Sequence, residues 1–169
     1  AREIDVVISR SHVLTGNWYA LYEELMQFRA TCGDAAYMKT ILATGDLGTL
    51  KQVYQASLVA MMAGSDFIKT STGKELVNAT LEVGLVMVRA IRDYYERTGC
   101  KVGFKPAGGI STTKQAMTWQ SLMKEELDDA WLMPDLFRIG ASSLLTDVER
   151  QLYHHITGRY AAKHHMPMG

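Results

Sequence analysis

The feature that most constrains the fold of this chain is the regular spacing of five short apolar segments, each with a polar or glycine residue at or near its end. These end residues recur at intervals of 34, 30, 36 and 35 residues, and they are Asp5, Lys39, Lys69, Lys105 and Gly140. Such intervals are typical of a strand followed by a helix. The spacing therefore predicts five successive βα units, a parallel sheet and a single domain over residues 1–169.

The composition of the segments agrees with this pattern. Short runs rich in apolar and β-branched residues predict strands at 3–8, 37–42, 66–69, 101–105 and 137–140. Helical periodicity predicts helices at 15–32, 50–64, 80–98, 112–127 and 146–157, and the segment 128–134 is predicted to be a loop. Catalytic groups lie at the carboxyl ends of parallel strands in both (β/α)₈ barrels and doubly wound sheets, so the pattern predicts a site without choosing between these folds.

Charge and cysteine content exclude several classes of function. The chain has 18 basic and 18 acidic residues, which gives no basis for binding nucleic acid or an anionic membrane. No apolar run approaches the roughly 20 residues of a membrane span, and no signal peptide is evident. Cys32 and Cys100 have neither metal-ligand spacing nor a disulfide framework, and no metal site is predicted. A cytoplasmic protein is expected.

Lys69 and Lys105 end successive predicted strands and suggest amine chemistry. A lysine that attacks a carbonyl must be neutral, although the ordinary pKa of lysine is about 10.4. Burial and a second cation both lower this pKa, and adjacent strands lie only about 4.8 Å apart, so one of the two amines is expected to be neutral and the other charged. The alternative is that both side chains extend into solvent as ordinary strand-end residues.

Asp5 and Lys39 are further candidates with open roles. Asp5 lies within an apolar strand, where a carboxylate is costly unless it is paired. It is expected either to accept a hydrogen bond from a lysine and take part in proton transfer, or to form a structural ion pair or turn cap. Lys39 is either a third cation of the same site or a structural partner of Asp5.

Three loops between a predicted strand and a helix contain small residues that suit an anion. They contain Gly73 with Lys74, Gly108 with Gly109, and Gly140 followed by Ser142 and Ser143. Small residues let backbone N–H groups approach an anion, and helix N-termini favour negative charge. The three loops together predict a phosphate site, whereas each loop alone is equally explained by turn geometry.

The segments around these residues resemble the signature segments of the deoxyribose-phosphate aldolase family. The resemblance is carried by residues 66–74, 102–110 and 137–144, is supported by 3–7 and 39–45, and covers nearly the whole chain. It implies a class I aldolase on a TIM (β/α)₈ barrel that needs neither a metal nor an organic cofactor. Members of this family reversibly cleave 2-deoxy-D-ribose 5-phosphate to D-glyceraldehyde 3-phosphate and acetaldehyde.

The resemblance also implies roles for the candidate residues. Lys69 is expected to form the Schiff base, Lys105 to keep it reactive, and Asp5 to transfer protons together with Lys105 and a water molecule. Lys39 matches a further active-site lysine whose role the resemblance leaves open. The substrate phosphate is expected to be held by Gly73, Gly108, Gly109, Gly140, Ser142 and Ser143, with assistance from Lys74.

This sequence departs from the family pattern in two respects. Ser111 stands where many members have an arginine, which is expected to weaken the grip on phosphate. The chain also provides five of the eight barrel strands and resembles the carboxyl-terminal portion of the family. A five-stranded arc exposes two open edges. We therefore expect completion by an amino-terminal barrel segment, by another chain as in a homo-oligomer, or by a different closure, and poor folding or association of the chain alone.

Two other interpretations of the sequence remain open. An inactive barrel fragment that acts as a binding or assembly module would explain the incomplete set of strands. A phosphate-binding barrel isomerase that uses carboxylate chemistry would explain the glycine loops, but it leaves Lys69 and Lys105 without a role.

Overall fold

The predicted alternation of strands and helices runs through residues 1–165, which are the residues that the computed structural model describes. The sheet contains β1 (Glu3–Val7), β2 (Tyr37–Ile41), β3 (Phe67–Lys69) and β4 (Gly103–Lys105), all parallel and ordered as in the chain. The helices are α1 (Arg10–Leu14), α2 (Trp18–Cys32), α3 (Leu50–Met62), α4 (Leu81–Thr98), α5 (Thr113–Leu127) and α6 (Leu144–Thr157). Residues 166–169 of the predicted domain lie outside the described residues.

Helices α2, α3, α4 and α5 each begin where the side chain of the preceding residue accepts a hydrogen bond from a free backbone N–H group. The side chain of Asn17 accepts from Ala20 at the start of α2, and Thr80 accepts from Val83 at the start of α4. Thr112 forms a reciprocal capping box with Gln115 before α5. The predicted starts of α4 and α5 at residues 80 and 112 are therefore correct to within one residue.

The sequence did not predict the short elements, which are α1 and 3₁₀ turns at Thr44–Asp46, Asp129–Trp131 and Lys163–His165. Helix α1 has five residues, which is too short to establish a helical period in the sequence. The predicted loop at 128–134 contains a 3₁₀ turn at Asp129–Trp131. Trp131 is buried there, and its Nε1 donates to the carbonyl oxygen of Val102 at 3.0 Å. This hydrogen bond therefore holds the segment 128–134 against the residue that precedes β4.

The predicted fifth strand at 137–140 lies parallel to β4 but pairs with it only through two isolated bridges. Arg138 donates to the carbonyl of Phe104 at 3.1 Å, and Gly140 donates to the carbonyl of Pro106 at 2.8 Å. Proline has no backbone N–H, so position 106 cannot donate a hydrogen bond in return and the ladder is interrupted there. The sheet therefore has four regular strands instead of the five predicted.

The strand register places the candidate side chains on one face of the sheet. Asp5 lies opposite Lys39, and Lys69 lies opposite Lys105. Lys39 is also opposite Phe67, so the second pair lies two residues further along the strands than the first. Side chains two residues apart point to the same face of a strand, and all four charged groups therefore share one face.

The two faces of the sheet have different roles. One face packs against α2–α5 through a continuous apolar core that includes Leu21, Leu25, Ala56, Met61, Ile68, Met87, Ile91, Phe104 and Met123. On the other face Glu3 of β1 forms an ion pair with Arg138 at 3.1 Å, although their segments stand at opposite ends of the sheet. The sheet is therefore curved, with its concave face towards the charged residues. None of the helices within residues 1–165 has the length and apolarity needed to cross a membrane.

Candidate active site

Asp5 is the centre of a cluster of lysines on the concave face. Its Oδ2 accepts hydrogen bonds from Nζ of Lys69 at 2.7 Å and from Nζ of Lys105 at 3.1 Å. Its Oδ1 lies 3.7 Å from Nζ of Lys39. The three lysines come from three consecutive strands, which brings together all four residues predicted for the chemical step.

Burial and charge shift the pKa values of two members of this cluster. Burial raises the pKa of Asp5, but the hydrogen bonds from Lys69 and Lys105 outweigh it and hold this pKa below its ordinary value. Burial lowers the pKa of Lys105, and the hydrogen bond to Asp5 opposes this shift. The charges of Lys69 and Lys39 lower it further, and the net shift is downward. The cluster therefore favours the loss of a proton from Lys105.

Lys39 has a second carboxylate partner besides Asp5. Its Nζ donates to Oε2 of Glu3 at 2.6 Å, and the Lys39 side chain is only 3 % exposed. Glu3 also forms an ion pair with Arg138. The hydrogen bond from Lys39 is the main cause of the lowered pKa of Glu3. Neither Glu3 nor Arg138 was singled out from the sequence, where each reads as an ordinary charged residue of a strand.

A cavity of about 480 Å³ adjoins Lys69 and Lys105. Its wall includes every residue predicted to contact phosphate, namely Gly73, Lys74, Gly108, Gly109, Gly140, Ser142 and Ser143. Ser111 also lines it, and its backbone N–H donates to the side chain of Gln115 at 2.9 Å. The arrangement thus places two amines at one side of a chamber whose other walls are three loops rich in glycine and serine.

Buried hydroxyl groups hold two of these loops together. The hydroxyl oxygen of Ser71 lies within hydrogen-bond distance of the carbonyl oxygen of Ala107, at 2.6 Å, and of Oδ1 of Asn78, at 3.0 Å, and its single proton can be donated to either. The backbone N–H of Ala107 donates to the hydroxyl of Thr70 at 2.9 Å. Gly108 has φ +87°, and a Cβ on it would lie 2.5 Å from Cβ of Asn78. Glycine is therefore required at 108, and Ser71 and Asn78 are positioning residues that the sequence pattern did not single out.

The third loop leads into α6. A Cβ on Gly140 would lie 2.6 Å from Cβ of Ala107, so the close approach of this loop to the one after β4 requires glycine. Ser143 is the N-cap residue of α6 but makes no side-chain cap hydrogen bond. The first N–H groups of this 14-residue helix carry partial positive charge next to the cavity, which is an environment that favours an anion.

The model of one known protein family, described as "DeoC/LacD family aldolase", matches residues 1–148 of the chain.

The chain belongs to this aldolase family. The resemblance inferred from the lysine-bearing segments is thereby confirmed. Among curated relatives, the deoxyribose-phosphate aldolase of Mus musculus is 71 % identical over 168 residues, which cover 99 % of this chain and 52 % of the mouse protein. The chain thus spans about half the length of the curated relatives it matches.

Solved structures support the same fold. A crystal structure from Toxoplasma gondii superposes with a TM-score of 0.80 at 20 % identity and covers 92 % of this chain and 61 % of that chain. The deoxyribose phosphate aldolase from Aeropyrum pernix, described as having a unique tetrameric structure, gives a TM-score of 0.68 at 23 % identity, with coverage of 90 % and 56 %. The predicted α/β fold of the TIM-barrel aldolases is confirmed.

Proposed function

We propose that the protein to which this chain belongs is a class I deoxyribose-phosphate aldolase. The proposal rests above all on one observation: Lys69 and Lys105 share the single carboxylate of Asp5 at the side of a cavity lined by three glycine- and serine-bearing loops. Two amines with one counter-ion suit Schiff-base chemistry, because one of them can lose its proton without leaving a carboxylate unpaired.

In this proposal the neutral amine of Lys69 attacks the aldehyde carbon of open-chain 2-deoxy-D-ribose 5-phosphate. Loss of water from the adduct gives an iminium, which withdraws electrons from the neighbouring carbon–carbon bond. Removal of the proton from the 3-hydroxyl breaks the bond between carbons 2 and 3, releases glyceraldehyde 3-phosphate and leaves the enamine of acetaldehyde. Protonation of the enamine and hydrolysis release acetaldehyde and restore Lys69.

Asp5 and Lys105 are assigned to proton transfer. Lys69 and Lys105 both donate a hydrogen bond to the same atom, Oδ2 of Asp5. A proton lost by one amine can therefore move through this carboxylate or an adjacent water molecule. Lys39, which lies 3.7 Å from Oδ1 of Asp5, is assigned to holding that carboxylate in place and not to the transfer itself.

The phosphate of the substrate is assigned to the cavity loops. The backbone N–H groups of the loop at Gly108 and Gly109 and the N-terminus of α6 at Ser142 and Ser143 would donate to its oxygens. Lys74 would add a positive charge at the rim. Ser111 contributes no charge there, which supports weaker binding of the phosphate than an arginine would give.

The partners and the setting are part of the same proposal. Eight strands close a barrel of this family, so further βα units are required beside β1 and the segment 137–140, and assembly into an oligomer is proposed with them. The free thiols of Cys32 and Cys100 suit a reducing compartment such as the cytoplasm. That residues 1–169 form one domain stays a prediction.

Borohydride trapping tests the proposal directly. The full protein is incubated with 2-deoxyribose 5-phosphate and borohydride, and peptide mapping by mass spectrometry locates the reduced adduct. We expect the adduct on Lys69 and its absence in Lys69→Leu. An adduct on another lysine, or none in a folded protein, would contradict the assignment.

A second candidate, an inactive assembly module, is favoured by the outer surface of α6. This helix has no buried residue, and Leu152 and Ile156 are 55 % and 79 % exposed. Size-exclusion chromatography with light scattering on residues 1–169, combined with the trapping experiment, separates the two. A chain that associates but forms no adduct in any assembly would favour the module.

A further inference from the structure

The loop after β3 already contains an anion of its own. The carboxylate of Glu75 accepts hydrogen bonds from the backbone N–H groups of Thr72, Gly73 and Lys74 at 3.1, 3.2 and 3.1 Å. The hydroxyl of Thr72 donates to it as well, at 2.9 Å. Three successive backbone donors and one hydroxyl therefore converge on one carboxylate.

The donors that Glu75 occupies belong to the cavity proposed for phosphate. Thr72, Gly73 and Lys74 all line it, and a Cβ placed on Gly73 would come within 3.8 Å of the Cα of Gly108. The loop after β3 and the loop after β4 thus form one continuous wall. Any anion that uses the N–H groups of the first loop must meet the carboxylate of Glu75 there.

The charge of Glu75 is maintained in this position. Burial raises the pKa of its carboxyl, but the hydrogen bonds from Thr72 and Lys74 outweigh burial, and the net pKa lies below its ordinary value. The side chain is therefore an anion at neutral pH, as a phosphate monoester is. Two anions cannot share the same few donors without repulsion.

The other side of the cavity differs. The N-cap residue of α6, Ser143, has no side-chain hydrogen bond to the first turn of the helix. An arriving phosphate can use this helix end without displacing a protein anion. One wall of the cavity is thus open to an anion, and the other is filled by a carboxylate of the protein.

We propose that Glu75 is an internal competitor of the substrate phosphate and so sets how strongly the cavity prefers phosphorylated substrates. A phosphate monoester gains the donors of residues 72–74 only when the carboxylate of Glu75 leaves them, whereas a substrate without phosphate pays no such cost. The proposal rests on the proposed function for the identity of the substrate, but it concerns anion binding, which is measurable without catalysis.

Removal of the charge at 75 tests this competition. Inorganic phosphate is titrated into the full protein by calorimetry, as wild type, Glu75→Gln and Glu75→Ala. We expect the Kd for phosphate to fall about fivefold in both variants, since the backbone donors of residues 72–74 no longer have to be released by a protein anion. Glu82→Gln is the matched control, because Glu82 is an exposed carboxylate in the first turn of α4 and its loss changes the net charge equally.

Kinetics provide a second readout for the substrate itself. The ratio of KM for 2-deoxyribose 5-phosphate to KM for 2-deoxyribose is expected to fall in Glu75→Gln and to stay unchanged in Glu82→Gln. An unchanged or weakened phosphate affinity in both Glu75 variants would overturn the proposal. It would indicate that Glu75 only stabilises the structure of the loop. Failure of borohydride trapping together with tighter phosphate binding would instead refute the aldolase assignment and leave this inference standing.

Discussion

Lys39 and the pair Lys69–Lys105 lie on the same concave face, yet they are neutralised in different ways. Lys39 lies beside two carboxylates, with Glu3 at 2.6 Å and Asp5 at 3.7 Å. Lys69 and Lys105 share the single carboxylate of Asp5, at 2.7 and 3.1 Å. The side chain of Lys39 is also the most buried of the three, at 3 % exposed against 10 % and 19 %. Burial therefore does not distinguish the candidate nucleophile.

The number of counter-ions for each amine makes the distinction. A buried ammonium that contacts two carboxylates is stabilised in the charged form. Two ammonium groups on one carboxylate carry an excess positive charge, and release of a proton relieves it. The pKa of Lys105 is lowered chiefly by burial, and the charge of Lys69 lowers it further, which agrees with this account. The comparison predicts chemistry at Lys69 and Lys105 and a supporting role for Lys39.

The strongest test of this difference is Lys105→Met against Lys39→Met. We expect kcat for cleavage of 2-deoxyribose 5-phosphate in the full protein to fall by about 10³-fold in Lys105→Met, within the range for loss of a general acid or base. Lys39→Met is expected to lose less than about tenfold, because its charge is already neutralised by Glu3. A coupled assay of glyceraldehyde 3-phosphate release measures both, and equal losses would remove the distinction.

Asp5→Asn tests the shared carboxylate and should have the next largest effect. The amide keeps the shape but removes the charge that pairs Lys69 and Lys105 and the group that accepts their protons. We expect kcat to fall by about 10²-fold. Glu3→Gln, which removes the other carboxylate of this face, is the matched control, and a loss of similar size there would contradict the special position of Asp5.

Glu3→Gln has its own expected effect, which is on stability. Without this carboxylate the buried ammonium of Lys39 retains only the Oδ1 of Asp5 at 3.7 Å. Glu3 is itself 38 % exposed, and water replaces part of the lost interaction, so we expect unfolding in urea to show a loss of about 1 kcal/mol. A stable variant with strongly reduced kcat would reverse the roles assigned to the two parts of the face.

The smallest expected effect is a dependence of stability on alkaline pH. The folded pKa of Lys105 is lowered, so between that value and the unfolded pKa of about 10.4 the unfolded chain binds more protons than the folded one. The buried charge of Lys105 destabilises the folded protein fully below the folded pKa, and this destabilisation is relieved as pH rises through this window. Relative to Lys105→Met, the wild type is expected to gain about 2 °C in Tm between about pH 7 and pH 10. A difference in Tm between the wild type and Lys105→Met that stays constant or falls with rising pH would contradict the lowered pKa of Lys105.

Much of this arrangement was predictable because it follows from local rules. Lys69 and Lys105 end consecutive strands, and parallel strands present their carboxyl ends at one edge of the sheet, so side chains predicted separately meet there. Thr80 and Thr112 stand before apolar periodic segments and cap α4 and α5. The family itself was identified from the segments around the two lysines. The roles assigned to individual site residues stay predictions.

The features that were not predicted depend on contacts between distant parts of the chain. The interrupted pairing at 137–140 is caused by Pro106, which directly follows β4. No property of the segment 137–140 itself therefore indicates the interruption. Glu3 and Arg138 acquire their positions only from the curvature of the sheet. Glu75 is a single acidic residue of a loop, and its function as an internal anion follows from the direction of three backbone N–H groups that the sequence does not specify.

The ion pair of Glu3 with Arg138 joins residues 135 positions apart, and the contact of Asp5 with Lys105 spans 100. Contacts of such long range form late in folding, because the loss of chain entropy on closing a long loop precedes their gain. We therefore expect the carboxylate of Asp5 to acquire Lys105 only after the strands between them are in place. Lys69 is likewise expected to gain its full set of neighbours only when the sheet is complete.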